Sequence, residues 1–232
     1  YALRIVNLKK HYDKFFGLIK SFNALRGLSI GVLPGNCLAF LGHNGAGKST
    51  TMNILTGLIG SSGGEAFIFG RDIRYEMDAI RKQIGVCPQH DILWDELTAR
   101  EHLYIFGLFK DVPVKQLKAQ SEYLLSKVNL LKVADHRTSS FSGGMKRRLS
   151  VAIACIGDPE LLLLDEPTTG MDPSSRRQVW DLIEEMKGGK KTSESASETA
   201  KERVIVLTTH SMEEADALSD RISIMANGQL QA

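Results

Sequence analysis

The chain opens with short apolar or alternating runs broken by turn residues. Residues 2–8 and 28–33 read as strands, Pro34-Gly35 as a turn, and the apolar run 37–41 as a strand feeding directly into a glycine-rich loop. From Lys48 the period changes. Met52, Leu55 and Ile59 recur at helical spacing, and Gly60 to Gly64 close the segment. Strands follow at residues 65–69 and 84–87. Thr98 with Glu101 then forms a capping box, opening a helix rich in Leu103, Phe106 and Leu108. The pattern stays helical to about residue 157. Strands resume at 161–164, four leucines that read as a fully buried parallel strand, and at 204–208. A helical middle between β-rich ends predicts an α-helical subdomain inserted into an α/β core. The expected organisation is one domain over 1–232, with the core at about 1–89 and 158–232 and the helical subdomain at about 90–157. Between a helix at 174–186 and the strand at 204 lies residues 188–203, polar throughout and unable to bury apolar area, which predicts a mobile surface loop.

Composition narrows the partners. With 24% charged residues and a net charge of +2, the chain has no bulk electrostatic pull toward nucleic acid, and none is expected as a partner. Cys37, Cys87 and Cys155 are odd in number and widely spaced, which argues against a disulfide framework or a zinc site and predicts three small core residues in a reducing setting. No stretch reaches the ~18 consecutive apolar residues that span a bilayer. The start at Tyr1 lacks the layout of a signal peptide, and since it is not Met the chain is expected to be a piece of a longer one.

The first candidate chemistry is Gly42-His43-Asn44-Gly45-Ala46-Gly47-Lys48-Ser49, followed by Thr50, which matches the P-loop pattern between a strand and a helix. Its glycines let the backbone wrap round an anion, so that amide N–H groups and the positive helix end face phosphates. Lys48 adds a charge near the β- and γ-phosphates, and Ser49 offers a hydroxyl to Mg²⁺, a cation that prefers oxygen.

The second is Asp165-Glu166, two acids at the carboxyl end of the leucine strand, the edge where ligands of open α/β sheets bind. Asp165 is placed to hold Mg²⁺ and Glu166 to orient or deprotonate an attacking water. A third strand end carries His210, followed by Ser211 and Glu214 as a second capping box. A histidine there can donate to a γ-phosphate and orient Glu166. The other histidines, His11, His43, His90, His102 and His136, lack metal-ligand spacing and read as structural.

Phe141-Ser142-Gly143-Gly144-Met145 resembles the signature that separates ABC-type ATPases from other P-loop proteins. The resemblance covers nearly the whole chain and implies an ABC nucleotide-binding domain: a P-loop NTPase (RecA-like) core, a β-subdomain and the helical insert. It implies ATP and Mg²⁺ as cofactors. Gln89 corresponds to the Q-loop glutamine, counted among both catalytic and metal groups, Asp172 to the D-loop and His210 to the switch histidine. Tyr12 looks like the aromatic that stacks on adenine, with Phe15 and Phe16 close enough to compete. Ser142, Gly143 and Gly144 are implied to contact the γ-phosphate of ATP held on a second, identical or homologous domain, the two closing head to tail. Gln89 and residues 91–97 are implied to relay that movement to transmembrane domains, at the cytoplasmic face of a membrane.

More narrowly, GHNGAGKST, IGVCPQHDILWDELTAREHL, SGGMKRRLSVAIA and LDEPTTGMDPSSRR resemble the A subfamily of eukaryotic ABC transporters, mostly linked to lipid movement; bacterial exporter ATPases are similar too. Met145 stands where most ABC proteins have Gln, and the loop near residue 195 is unusually long. Lys146, Arg147 and Arg148 read as a solvated helix face and are left out of the site. Two alternatives stay open, a soluble non-transport ABC ATPase and a regulatory domain that binds ATP and hydrolyses it weakly.

Overall fold

The computed structural model describes residues 1–13, 21–188 and 203–232. The chain falls into two compact units, one of residues 1–81 with 204–232 and one of residues 82–203. Phe15 and Phe16 and most of the polar segment 188–203 lie outside the described residues.

In the first unit, β1 (Leu3–Tyr12), β2 (Phe22–Val32), β4 (Gly63–Ile68) and β5 (Arg71–Asp72) form an antiparallel sheet in the order β2-β1-β4-β5. Buried Leu3 and Ile5 alternate with exposed positions, but the next buried residue is Leu8. A bulge explains the slip: Asn7 takes a φ of 49°, and the register against β2 shifts between Ile5 and Leu8. Beyond it β1 continues as Lys9-Lys10-His11-Tyr12 paired with residues 22–26, a polar stretch that hydropathy alone did not mark as strand.

Within the same unit, β3 (Cys37–Leu41) runs parallel to β8 (Val204–Thr209) and to β9 (Arg221–Ala226), and β9 is closed by antiparallel β10 (Gln229–Leu230). Every residue of β8 and the first four of β3 are buried, as expected of parallel strands covered on both faces. Helix α1 (Lys48–Leu55) follows β3 through the glycine loop, and α7 (Met212–Leu218) follows β8. The short α2 (Met77–Gln83) leads out of this unit and anchors itself with buried Ile80. Neither α2 nor β5 stood out in the sequence.

The second unit holds the parallel pair β6 (Ile84–Cys87) and β7 (Leu161–Asp165) with α3 (Ala99–Phe109), α4 (Val114–Lys127), α5 (Gly143–Cys155) and α6 (Pro173–Gly188). The Thr98 capping box is present in both directions: Glu101 N–H donates to Thr98 Oγ1 at 3.2 Å and Thr98 N–H to Glu101 Oε2 at 2.7 Å. The buried face of α3 is Ala99, His102, Leu103 and Gly107, so of the three apolar residues that mark the helix in the sequence only Leu103 is buried. Leu108 is exposed, while Gly107 admits Leu117 of α4 so closely that a side chain there would collide with it. Among the described residues no helix is long and apolar enough to cross a membrane.

Candidate functional site

The phosphate-loop candidate is built by the first unit. Gly42 leaves β3 with its N–H donating to Thr209 O at 3.4 Å, and a Cβ there would strike the Met225 carbonyl, so only glycine passes. The loop is braced from the β9–β10 turn, where Gly228 N–H donates to Ala46 O at 3.0 Å. Gly47 caps α1 in the left-handed region at φ 106°, with space for a Cβ closed at 2.8 Å by Ala24 O and Leu25 Cδ2. This turns the first amides of α1 into the loop, where the helix carries partial positive charge. Lys48 is only 4% exposed, and its ammonium donates to Gly42 O at 2.6 Å and His43 O at 3.3 Å, inside the ring that the loop describes. Ser49 and Thr50 sit half-buried on the same first turn.

Tyr12 ends β1 with its ring stacked on Phe22, centroids 5.1 Å apart, and with Lys10 Nζ 5.1 Å from the centroid. His210 is exposed just after β8. Ser211, next to it, caps α7 by accepting Glu214 N–H at 3.3 Å, but the expected capping box is only half formed, because Ser211 N–H donates to Thr209 Oγ1 at 2.9 Å.

The acidic candidates belong to the second unit. Asp165 closes β7, and both it and Glu166 are buried at 5% and 6% exposure. Glu166 has a φ of 50°, a left-handed backbone that a non-glycine residue holds only where its surroundings enforce it. Thr169 Oγ1 donates to Glu166 Oε2 at 3.1 Å. Gln89 is exposed two residues beyond β6. Ser142 caps α5 by accepting Met145 N–H at 3.3 Å, leaving Ser142 and Gly143 exposed at the helix start. Asp172 accepts Ser175 N–H at 2.9 Å at the start of α6, and this bond holds its carboxyl below the usual carboxylate range.

The sequence model of the family described as "ABC transporter" matches residues 25–169, a span that contains the glycine loop, the Ser142 helix start and the acidic pair. The chain belongs to the ABC transporter family. It is 52% identical over 99% of its length to ABC transporter A family member 2 of Arabidopsis thaliana, covering 23% of that protein. It is 46% identical over 97% of its length to A family member 1 of Dictyostelium discoideum, covering 24%. The chain thus spans less than a quarter of these two relatives. An ATP-binding subunit of an ABC transporter superposes with a TM-score of 0.84 at 27% identity, over 100% of this chain and 89% of that one. A dimeric ATP-binding cassette in a post-hydrolysis state, bound to ADP and Pi, gives 0.85 at 23% identity over 99% and 97%, and speaks for the fold alone.

The basic run after the signature departs from its expected exposure. The run Lys146-Arg147-Arg148 is not a solvated face. Lys146 pairs with Asp95 at 2.9 Å, and Arg148 donates to Val128 O at 2.8 Å and Gln178 Oε1 at 3.0 Å. Arg147 is buried, with its guanidinium donating to Pro167 O, Pro88 O, Asp91 Oδ1, Asp165 O and Glu166 O at 2.5–3.1 Å. Three consecutive basic residues suggested solvent because each partner lies far away in sequence. His102, read as structural, is so: it is fully buried, Nδ1 donating to Thr98 O at 2.8 Å and Nε2 accepting Trp94 N–H at 2.9 Å. That tautomer holds the segment after Gln89 against α3.

The residues present suit Mg²⁺ by their chemistry. Ser49, Gln89 and Asp165 all offer oxygen, and among the described residues no group of three or more His, Cys, Asp or Glu could hold a metal by itself. Mg²⁺ asks for no such group, since it takes one or two protein ligands and fills the rest of its shell with water and phosphate oxygens.

Proposed function

We propose that this chain binds ATP with Mg²⁺ and hydrolyses it, as the nucleotide-binding domain of a transporter that moves lipid across a membrane. The observation that carries the reading is the loop at α1: a left-handed Gly47 aims the helix amides inward, and a buried Lys48 ammonium is already held among the loop carbonyls. A cation in that position is ready to exchange carbonyl partners for the β- and γ-phosphates, which bind it more strongly because they are charged.

In this reading the amides of residues 42–50 receive the phosphates, and Tyr12 offers its ring to the adenine. Ser49, Gln89 and Asp165 hold Mg²⁺, which when bound neutralises charge on the phosphate oxygens. Glu166 orients the attacking water and takes its proton, a task helped by burial, which keeps competing water away. His210 donates to the γ-phosphate, steadying charge that grows in the transition state. Ser142, Gly143 and Gly144 meet the γ-phosphate on a second domain, identical or homologous, in a head-to-tail pair. Residues 90–157 form the helical subdomain, and residues 91–97 carry closure to transmembrane domains at the cytoplasmic face of a membrane. The transport part is supported by the names of the A-family relatives, of which this chain covers less than a quarter, and the lipid part rests on the resemblance of the sequence motifs to that subfamily alone.

The test is Mg²⁺-dependent ATP hydrolysis measured against protein concentration, beside Glu166→Gln. A rate per molecule that climbs with concentration and falls by about 10² or more in the variant supports a self-pairing ATPase. A rate that Glu166→Gln leaves intact refutes the role of Glu166.

A further inference from the structure

Arg147 is one turn along α5 from the Ser142 helix start and is 5% exposed, yet it makes no use of solvent. A guanidinium has five N–H donors in a rigid plane. Here all three nitrogens are engaged: Nε donates to Pro167 O at 3.1 Å, Nη1 to Pro88 O at 2.5 Å and Asp91 Oδ1 at 3.1 Å, and Nη2 to Asp165 O at 2.6 Å and Glu166 O at 2.9 Å. Four of the five acceptors are backbone carbonyls, so the arrangement is more than an ion pair.

The choice of carbonyls matters. The carbonyls of Asp165 and Glu166 belong to the two peptide planes that flank the Glu166 Cα. Pinning both planes fixes φ and ψ of Glu166, and with them the direction of its Cα–Cβ bond. Glu166 sits at φ 50°, a conformation that relaxes unless it is held. The same cation binds Pro88 O and Asp91 Oδ1, on either side of Gln89. We infer that Arg147 is a positioning residue: it aims the Glu166 carboxylate and ties that aim to the segment carrying Gln89. Lysine cannot replace it, because three N–H donors on one nitrogen cannot reach acceptors spread round a plane.

This inference rests on the catalytic reading of Glu166. Its consequence is that losing Arg147 lowers the rate of the chemical step while leaving ATP affinity nearly unchanged, since no phosphate-loop residue touches Arg147 in the bonds above. Misaiming a catalytic group by about 1 Å costs on the order of 10²-fold.

The experiment compares wild type, Arg147→Met, Arg147→Lys and Glu166→Gln in the full-length protein with its membrane partner. It reads kcat and KM for ATP, direct ATP binding, and the melting temperature. The expected result is a fall in kcat of more than about tenfold in both Arg147 variants, with KM and binding within about threefold of wild type. Where Arg147→Met does not fold, Arg147→Lys carries the test, because it keeps the charge and most of the stem. If Glu166→Gln is inactive while Arg147→Lys keeps kcat within about tenfold, or loses ATP affinity in step with kcat, the inference is overturned and the catalytic reading stands. If Glu166→Gln is fully active, the catalytic reading fails and this one falls with it.

Discussion

His102 gives the sharpest link between a single side chain and a measurable curve. Its ring is fully buried under Trp94, centroids 5.6 Å apart, and is held neutral by one donated and one accepted hydrogen bond. Replacing it with Phe keeps an aromatic ring in the stack and leaves Thr98 O with the His102 backbone N–H at 3.1 Å, but orphans the Trp94 N–H. An orphaned, partly buried donor costs about 1–3 kcal/mol. For a protein of roughly this size each kcal/mol moves Tm by about 2–4 °C, so the expected fall at pH 8 is about 2–12 °C.

The second arm is pH. Burial pushes the His102 pKa down, against the Thr98 carbonyl and the Glu101 carboxylate, which pull it up. The unfolded chain therefore takes up a proton near pH ~6.5, its ordinary value, while folded His102 is still neutral. Its contribution to stability is complete above that pH and is lost as pH falls toward the folded-state pKa. Thermal melts from pH 8 to pH 5 should show the gap between wild type and His102→Phe narrowing with acid. Parallel curves across that range would refute the assignment of His102 as a buried neutral acceptor.

Three further outcomes follow from the same geometry. Gly47→Ala forces a Cβ onto Ala24 O and Leu25 Cδ2 at a left-handed position, so it should cost about 1–3 kcal/mol and weaken ATP binding sharply; unchanged affinity in a titration would contradict the loop's role. Thr98→Ala removes the hydroxyl half of the α3 capping box and should lower stability by about 1 kcal/mol in denaturant melts with ATP affinity intact. Cys37, Cys87 and Cys155 are buried thiols that form no disulfide, and burial pushes the thiols of Cys87 and Cys155 up to about 12. All three should resist a thiol reagent at pH 8 until the protein unfolds, and a thiol that reacts in the native state would show that its cover opens.

Local signals determined much of this protein. The strands at Cys37–Leu41 and Ile84–Cys87 appear with the bounds that their apolar runs indicated, and the Thr98 capping box forms both of its bonds. The glycine loop and the acidic pair were legible because each is a contiguous run at a strand end, where a phosphate or a cation is met by residues a few positions apart. Ser142 was singled out only by resemblance to the ABC signature, and α5 starts at Gly143, earlier than the Arg147 at which the helix was expected.

What escaped the sequence depends on partners far along the chain. The bulge at Asn7 let a polar stretch continue as strand because β2 and β4 pair with β1 on either side. The buried face of α3 was decided by the close approach of α4 at Gly107, which no periodicity records. Arg147 stands in a basic run that reads as solvent-facing, and its acceptors lie 18 to 59 residues away. Residue type and local period thus set which elements form and where phosphate chemistry can sit. Only the folded chain, by bringing distant carbonyls round one guanidinium, decided how the backbone on either side of Glu166 is held, because burial and hydrogen-bond partners belong to the packing and not to the order of residues.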